Sequence, residues 1–191
     1  MKEPKRAFLL TPPSTPLPAG LAFLRHVRFR LREDYRVKIG CALDVLSEEE
    51  IWWRPNEASN SIGNLLLHLS GNVRQWVVAG IGHAADTRER PREFSERTPR
   101  SKAALLARLD ATLDDADAVM AWIEEELVTS CSDFALQREH LIQGFEQTAL
   151  DALFHITEHF SYHTGQIIYI AKFHEAEKVR FYDDRQLDRV K

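Results

Sequence analysis

Three histidines, His155, His159 and His163, recur at intervals of four residues within Leu153–Gln166. A helix turns by about 100° per residue, so each step of four advances only about 40° and the three share one face. Two imidazoles at i and i+4 can aim at one ion, the geometry also used by H-E-x-x-H zinc helices. The glutamate of that motif is missing: Ile156 follows His155 and Phe160 follows His159, so zinc-peptidase chemistry is not indicated. Ala152, Gln166 and Ile170 fall on the same face, which is therefore expected to point inward. Buried imidazoles must stay neutral or find partners. Spacing by itself leaves two readings open, ordinary core histidines or metal ligands. A further ligand must come from elsewhere, and His68, in Leu65-Leu66-Leu67-His68-Leu69, is the best candidate. It lies at the edge of an apolar stripe, with Asn64, Asn72 and Gln75 on its flank. A set of three imidazoles leaves a coordination position for water or substrate. Imidazole suits zinc, nickel, iron or copper, and the residues do not choose among them.

The elements that must position these side chains read as helices. The chain has 191 residues with only 8 glycines and 8 prolines. Five of the prolines, Pro4, Pro12, Pro13, Pro16 and Pro18, precede residue 19. A chain so poor in breakers beyond that point is expected to be all-α, because Pro costs a helix interior about 3 kcal/mol. Residues 1–19 read as a flexible proline-rich arm. Apolar periodicity predicts helices over Gly20–Leu46, Ser61–Gly80, Ser101–Val128 and Thr148–Phe173. Ser59 or Asn60 is expected to cap the second, and Thr148 with Asp151 has capping-box spacing at the start of the fourth. Ser47 and Glu50 have the same spacing before the apolar plug of Ile51, Trp52 and Trp53. Residues 83–100 and 129–147 read as long connections without a strand pattern, and loops of that length are usually functional or mobile. Four helices of this length predict a four-helix bundle over 20–182, with 183–191 as a charged tail and Phe181 and Tyr182 able to dock back. One residue breaks the pattern: Gly165 sits inside the fourth helix beside His163, where Gly costs about 1 kcal/mol relative to Ala.

Charge excludes little. The formal net charge is −4, which calls for neither nucleic acid nor an acidic membrane as partner. Arg25, Arg28, Arg32 and Arg36 form a basic line on the first helix. Either it is a solvated or salt-bridged face, or it is an anion or nucleic-acid surface. The acidic clusters Glu48–Glu50, Asp114–Asp115 and Glu124–Glu126 read as solvated faces, and Trp52, Trp53, Trp76 and Trp122 as core or pocket wall. Cys41 and Cys131 form no framework and read as reduced thiols. The apolar piece Phe8–Leu10 is shorter than the roughly 7–15 residues of a signal-peptide core. Apolar runs elsewhere fall short of the ~18 residues of a membrane span. The expectation is a soluble cytoplasmic protein.

Two stretches carry a resemblance: Asn60-Ser61-Ile62-Gly63-Asn64-Leu65-Leu66-Leu67-His68-Leu69-Ser70-Gly71-Asn72, and His155-x-x-x-His159-x-x-x-His163-Thr164-Gly165-Gln166-Ile167. Together they resemble the DinB-like superfamily of metal-binding four-helix bundles, over roughly Phe23 to Tyr182. The ending Lys178-Val179-Arg180-Phe181-Tyr182-Asp183 is similar to that of a branch known only as a domain of unknown function. The resemblance implies a metal triad of His68, His159 and His163, with His155 beside it, and a homodimer. It also implies, for some branches, thiol transfer with a low-molecular-weight thiol.

The expected function is therefore metal-dependent chemistry on a small molecule, most simply thiol transfer. A divalent transition metal (zinc, nickel or iron) on three neutral imidazoles keeps its charge and lowers the pKa of a bound thiol. No cysteine or Gly-x-Ser-x-Gly lies near the motif, so the nucleophile would come from a bound thiol or water. Metal-dependent hydrolysis is the alternative, and it needs a base that Glu158, about 100° from His159 around the helix, does not obviously supply. A non-catalytic, stress-response binding module is the third reading.

Overall fold

The computed structural model describes residues 17–181. The predicted flexible arm, apart from its last residues, lies outside the described residues, as do Tyr182 and the tail 183–191.

The first helical rod comprises α1 (Ala19–Phe29), a π-helical stretch (Arg30–Tyr35) and α2 (Arg36–Asp44). The wide π turn lets one stripe, Leu24, Val27, Leu31, Tyr35, Ile39 and Ala42, stay buried along the whole rod. After it, Ser47 and Glu50 cap each other reciprocally and open a 3-10 turn over Glu50–Trp52. The second rod is α3 (Ile62–Val73) followed by a π-helical stretch (Arg74–Ile81) that ends at Gly82. Its cap is Ser61, not Ser59 or Asn60: the Ser61 hydroxyl accepts from the Asn64 N–H while the Asn64 side chain accepts from the Ser61 N–H.

The stretch 83–100 is not structureless. It contains α4 (Arg90–Ser95), with Pro91 in its first turn, where Pro is tolerated because that N–H has no helical partner. The long helix α5 (Lys102–Ser130) begins at Ser101, whose hydroxyl accepts from the Ala104 N–H. The second connection holds α6 (Phe134–Gln137) and an antiparallel hairpin of β1 (Glu139–Ile142) and β2 (Phe145–Thr148). Gln143 and Gly144 turn it with φ of 56° and 83°, the left-handed pair that a two-residue hairpin turn requires. Finally α7 (Ala149–Glu175) starts from the Thr148–Asp151 capping box, as its spacing predicts.

The protein is thus mostly helical, with one small two-stranded sheet. The helix α3 packs against both α5 and α7, α2 against α7, and α1 against α5. One core joins them, and Phe160 of α7 is its largest fully buried side chain, stacked on Tyr35 at 6.0 Å between ring centres. Phe181 packs against this core, as expected. Among the described residues no helix is long and apolar enough to cross a membrane. Cys41 and Cys131 are both free.

The basic line on the first rod faces acids of α5. Arg25 bonds Glu124 at 2.7 Å, Arg28 bonds Asp117 at 2.7 Å and also Glu124, Arg32 bonds Asp114, and Arg36 bonds Asp110 at 2.5 Å. The solvated-face reading of Asp114 and Glu124 is therefore corrected: both sit in ion pairs between helices, and Glu126 pairs with Arg138. Half-exposed pairs contribute little each, about 0–1 kcal/mol, but they align the two helices and neutralise the line. Trp122 is likewise not core. It stands 45% exposed, with Arg138 lying over its ring.

Truncating Phe160→Ala removes the central ring of this core and is expected to cost about 3–5 kcal/mol. Thermal unfolding should show a fall in Tm of more than 6 °C or so for a chain of this size.

Candidate metal centre

Two helices bring the histidines together. His68 lies midway along α3, every residue of which is buried, and His155, His159 and His163 lie on α7. The Nε2 atoms of His68 and His159 are 2.7 Å apart, and those of His159 and His163 are 3.1 Å apart. Ligand atoms of His68, His159 and His163 all fall within 4.8 Å of one another, close enough to hold one metal ion.

The inward-facing expectation holds only in part. The core stripe of α7 is Leu153, Ile156, Phe160 and Ile167, and the histidines occupy its shoulder. His68 and His163 are buried, whereas His155 and His159 are half-buried. That shoulder position leaves the cluster reachable from outside.

Two of the three outer nitrogens are held. His68 Nδ1–H donates to Glu93 Oε2 at 2.8 Å, and His163 Nδ1–H donates to Gln166 Oε1 at 2.7 Å. These bonds fix the tautomer, so that Nε2 of both rings presents a lone pair to the shared space. Glu93 is itself clamped by Arg88 through two bonds of 2.8 Å. Burial opposes its ionisation, but the hydrogen bonds from Arg88 and His68 outweigh that and hold its carboxyl below the usual carboxylate range. Arg88 is positioned in turn by Gln75 at 2.8 Å. Room for this group comes from Gly71, where a Cβ would lie 1.9 Å from Glu93 Oε1. Phe94, from the same α4 segment, packs its ring 4.6 Å from that of His68.

His155 stands apart from the triad. Its ring stacks on Trp76 at 3.8 Å, and its Nε2 accepts from the Asn72 amide at 3.1 Å. Its ring centre is 5.3 Å from that of His159.

Burial disfavours a charge on the three α7 histidines. Burial, reinforced by the neighbouring His163 and His68, pushes His159 down to about 3. Burial likewise lowers His155, and it lowers His163 against the raising influence of Gln166. Two lone pairs fixed by Glu93 and Gln166 and a third imidazole between them cannot satisfy one another with a single shared proton. A cation accepts from all three, so the donor set fits a divalent transition metal.

The residues Arg88, Glu93 and Phe94 are functional candidates that the spacing of histidines does not reveal. The available signals were the unusual length of the 83–100 connection and the polar flank of His68, of which Asn72 and Gln75 do join the site. Asn64 instead serves the α3 cap and bonds the Glu93 carbonyl.

Fold and site together define a helical protein carrying three histidines close enough to hold a metal ion. The chain belongs to the family described as protein of unknown function (DUF1572), whose model matches residues 19–182. Among the curated proteins, none matches the chain.

Two outcomes are expected. Replacing Glu93→Gln removes the charge behind His68 and should weaken metal binding 10–100-fold in a competition titration against a chromophoric chelator. The second concerns pH. An unfolded chain protonates His159 near 6.5, but the folded protein does so only near 3, so between these values unfolding takes up a proton. Stability of the metal-free protein is therefore intact above about pH 6.5 and falls as the pH drops, by up to about 1.4 kcal/mol per pH unit for this proton. Urea midpoints measured from pH 7 to pH 4 in chelator should fall accordingly, and less steeply in His159→Gln.

Proposed function

We propose that the protein is a metal-dependent enzyme of the DinB-like four-helix type, which holds one divalent transition metal through His68, His159 and His163. It acts on a small molecule, and thiol transfer with a low-molecular-weight thiol is the reaction the site supports best. The observation that carries this is the convergence of three imidazole nitrogens within 4.8 Å, two of them with their outer nitrogens already held. The four long helical rods around one core support the bundle. A homodimer working in the cytoplasm belongs to the same reading.

When bound, the metal supplies a positive charge that favours the thiolate form of a coordinated thiol. The chain does the rest. Glu93 and Gln166 hold the rings in one tautomer. Arg88 keeps Glu93 ionised and in place. Phe94 and Trp76 place apolar rings against His68 and His155 and limit water there. Among the described residues no serine or cysteine hydrogen-bonds any of the four histidines, which supports a nucleophile brought in by the ligand. Glu158 is exposed and makes no hydrogen bond to the triad, so the base that hydrolysis requires is not evident.

Elemental analysis of the purified protein should find about one transition-metal ion per chain, and a His159→Ala, His163→Ala double variant should lose nearly all of it. Equal metal content in both would sink the assignment. The metal-loaded protein mixed with a panel of thiols and an electrophile should turn over only when thiol is present, whereas ester hydrolysis without thiol would replace transfer by hydrolysis.

A further inference from the structure

A cavity of about 580 Å³ lies between the chain around Asn60, the first turns of α3 and the middle of α7. It adjoins the metal centre through one side chain. Gln166 holds His163 through Oε1 and reaches the Tyr162 hydroxyl through Nε2 at 3.4 Å, and both residues line the cavity. No lining residue is charged, in a chain of which 28% of residues are. Tyr162 and Tyr169, both exposed, bring aromatic rings to this open cavity, and half-buried Ile170 adds an apolar side chain. The Asn60 side chain, half-buried at the edge, has no hydrogen-bond partner among the described residues.

Gly165 also lines this cavity, and nothing in the fold accounts for it. At Gly63, Gly71 and Gly80 an added Cβ would come within 3.0 Å of a packed side chain, so packing demands glycine there. Gly144 has a left-handed backbone. Gly165 has neither reason: a Cβ built on it meets nothing within 4 Å, and its backbone is helical. A mid-helix glycine is unfavourable for helix formation. What it provides here is space, at a point where a bound molecule can approach the helix backbone.

We propose that this cavity is the recognition pocket for an uncharged, hydroxyl-bearing ring of the small-molecule substrate, and that Gly165 is the position that admits it. The proposal rests on the metal-enzyme reading for its link to chemistry. Its own basis is the composition of the walls. The walls offer an ionised group no counter-charge, whereas a neutral ring gains from the tyrosine faces and places its hydroxyls near the Asn60 and Gln166 amides.

The test titrates the ¹⁵N-labelled full-length protein, with and without zinc, against three small rings. Resorcinol is neutral, 3-hydroxybenzoate is anionic and tyramine is cationic at pH 7. Resorcinol should shift the amide resonances of Tyr162, Gly165 and Tyr169, and each charged ring should bind at least tenfold more weakly. Gly165→Leu should weaken resorcinol binding at least tenfold while keeping the wild-type metal content. Gly165→Ala should raise Tm by a few degrees, because only helix propensity changes in the free protein. Resorcinol shifts confined to other residues, equal binding of 3-hydroxybenzoate, or unchanged binding by Gly165→Leu would each overturn the proposal. Metal content is read separately by elemental analysis. A wild-type protein that takes up no metal yet binds resorcinol at Gly165 would overturn the metal reading and leave the pocket standing.

Discussion

Three imidazole nitrogens, with that of His159 2.7 Å from His68 Nε2 and 3.1 Å from His163 Nε2, are the constraint around which the rest of the molecule is arranged. Left alone, such a cluster is unfavourable. Its members repel if more than one is protonated, and their lone pairs crowd one another if none is. The protein handles the first problem by burial, which keeps His159 and His163 neutral. It turns the second into a binding device by fixing the tautomers from behind. Glu93 does this for His68 and Gln166 for His163, the first from a separate segment and the second from the next turn of the same helix. The site is therefore only as well formed as the contact between α3, α4 and α7.

That contact is set at helix starts. Capping boxes at Ser61–Asn64 and Thr148–Asp151 fix where α3 and α7 begin, and so which residues lie opposite each other along them. The π-helical stretch that follows α3 then changes the phase of the second rod. Past Val73 the buried positions become Val77, Val78 and Ile81, while Gln75 and Trp76 turn half-buried toward Arg88 and His155. An uninterrupted α-helix would carry the apolar stripe straight on through this region. The wide turn instead diverts two side chains to the site, a use of π geometry that recurs at functional sites. On the far side, the arginine–acid pairs align the first rod with α5 without touching the histidines.

What could be read from the sequence follows from the range of each interaction. The helical period of His155, His159 and His163 is local, and so are the capping boxes, so both were legible. The shell behind the site was not. Glu93 lies 25 residues from its partner His68, in a polar proline-bearing stretch that looks like any loop until it folds back over α3. The arginine line was visible, but its acids lie 74 to 99 residues away, and an aspartate awaiting a partner looks the same in sequence as one facing water. The hairpin escaped for a different reason. Two strands of four residues carry too little alternation to register, and its clearest sign, Gly144 behind Gln143, is a turn signal with many other uses.

The charges of the assembled site suggest how it divides a ligand. Arg88 and Glu93 cancel each other, and burial disfavours a charge on His159 and His163. A cation bound to them therefore keeps its full charge, with no carboxylate in its own coordination set to offset it. On the metal-enzyme reading proposed above, such a centre favours an anionic atom, a thiolate before an alcohol or a neutral water. The adjoining cavity has the opposite character, with walls that offer no counter-charge to an ionised group. Gln166 stands at the boundary, bonded to His163 on one side and lining the cavity on the other. A molecule that fits both environments carries its one ionisable atom at the end that meets the histidines and an uncharged ring at the other. On that reading the selection rests on three ordinary features: a carboxylate held behind His68 by an arginine, a helix shoulder that leaves His159 half-buried, and a glycine beside which the cavity wall stays open.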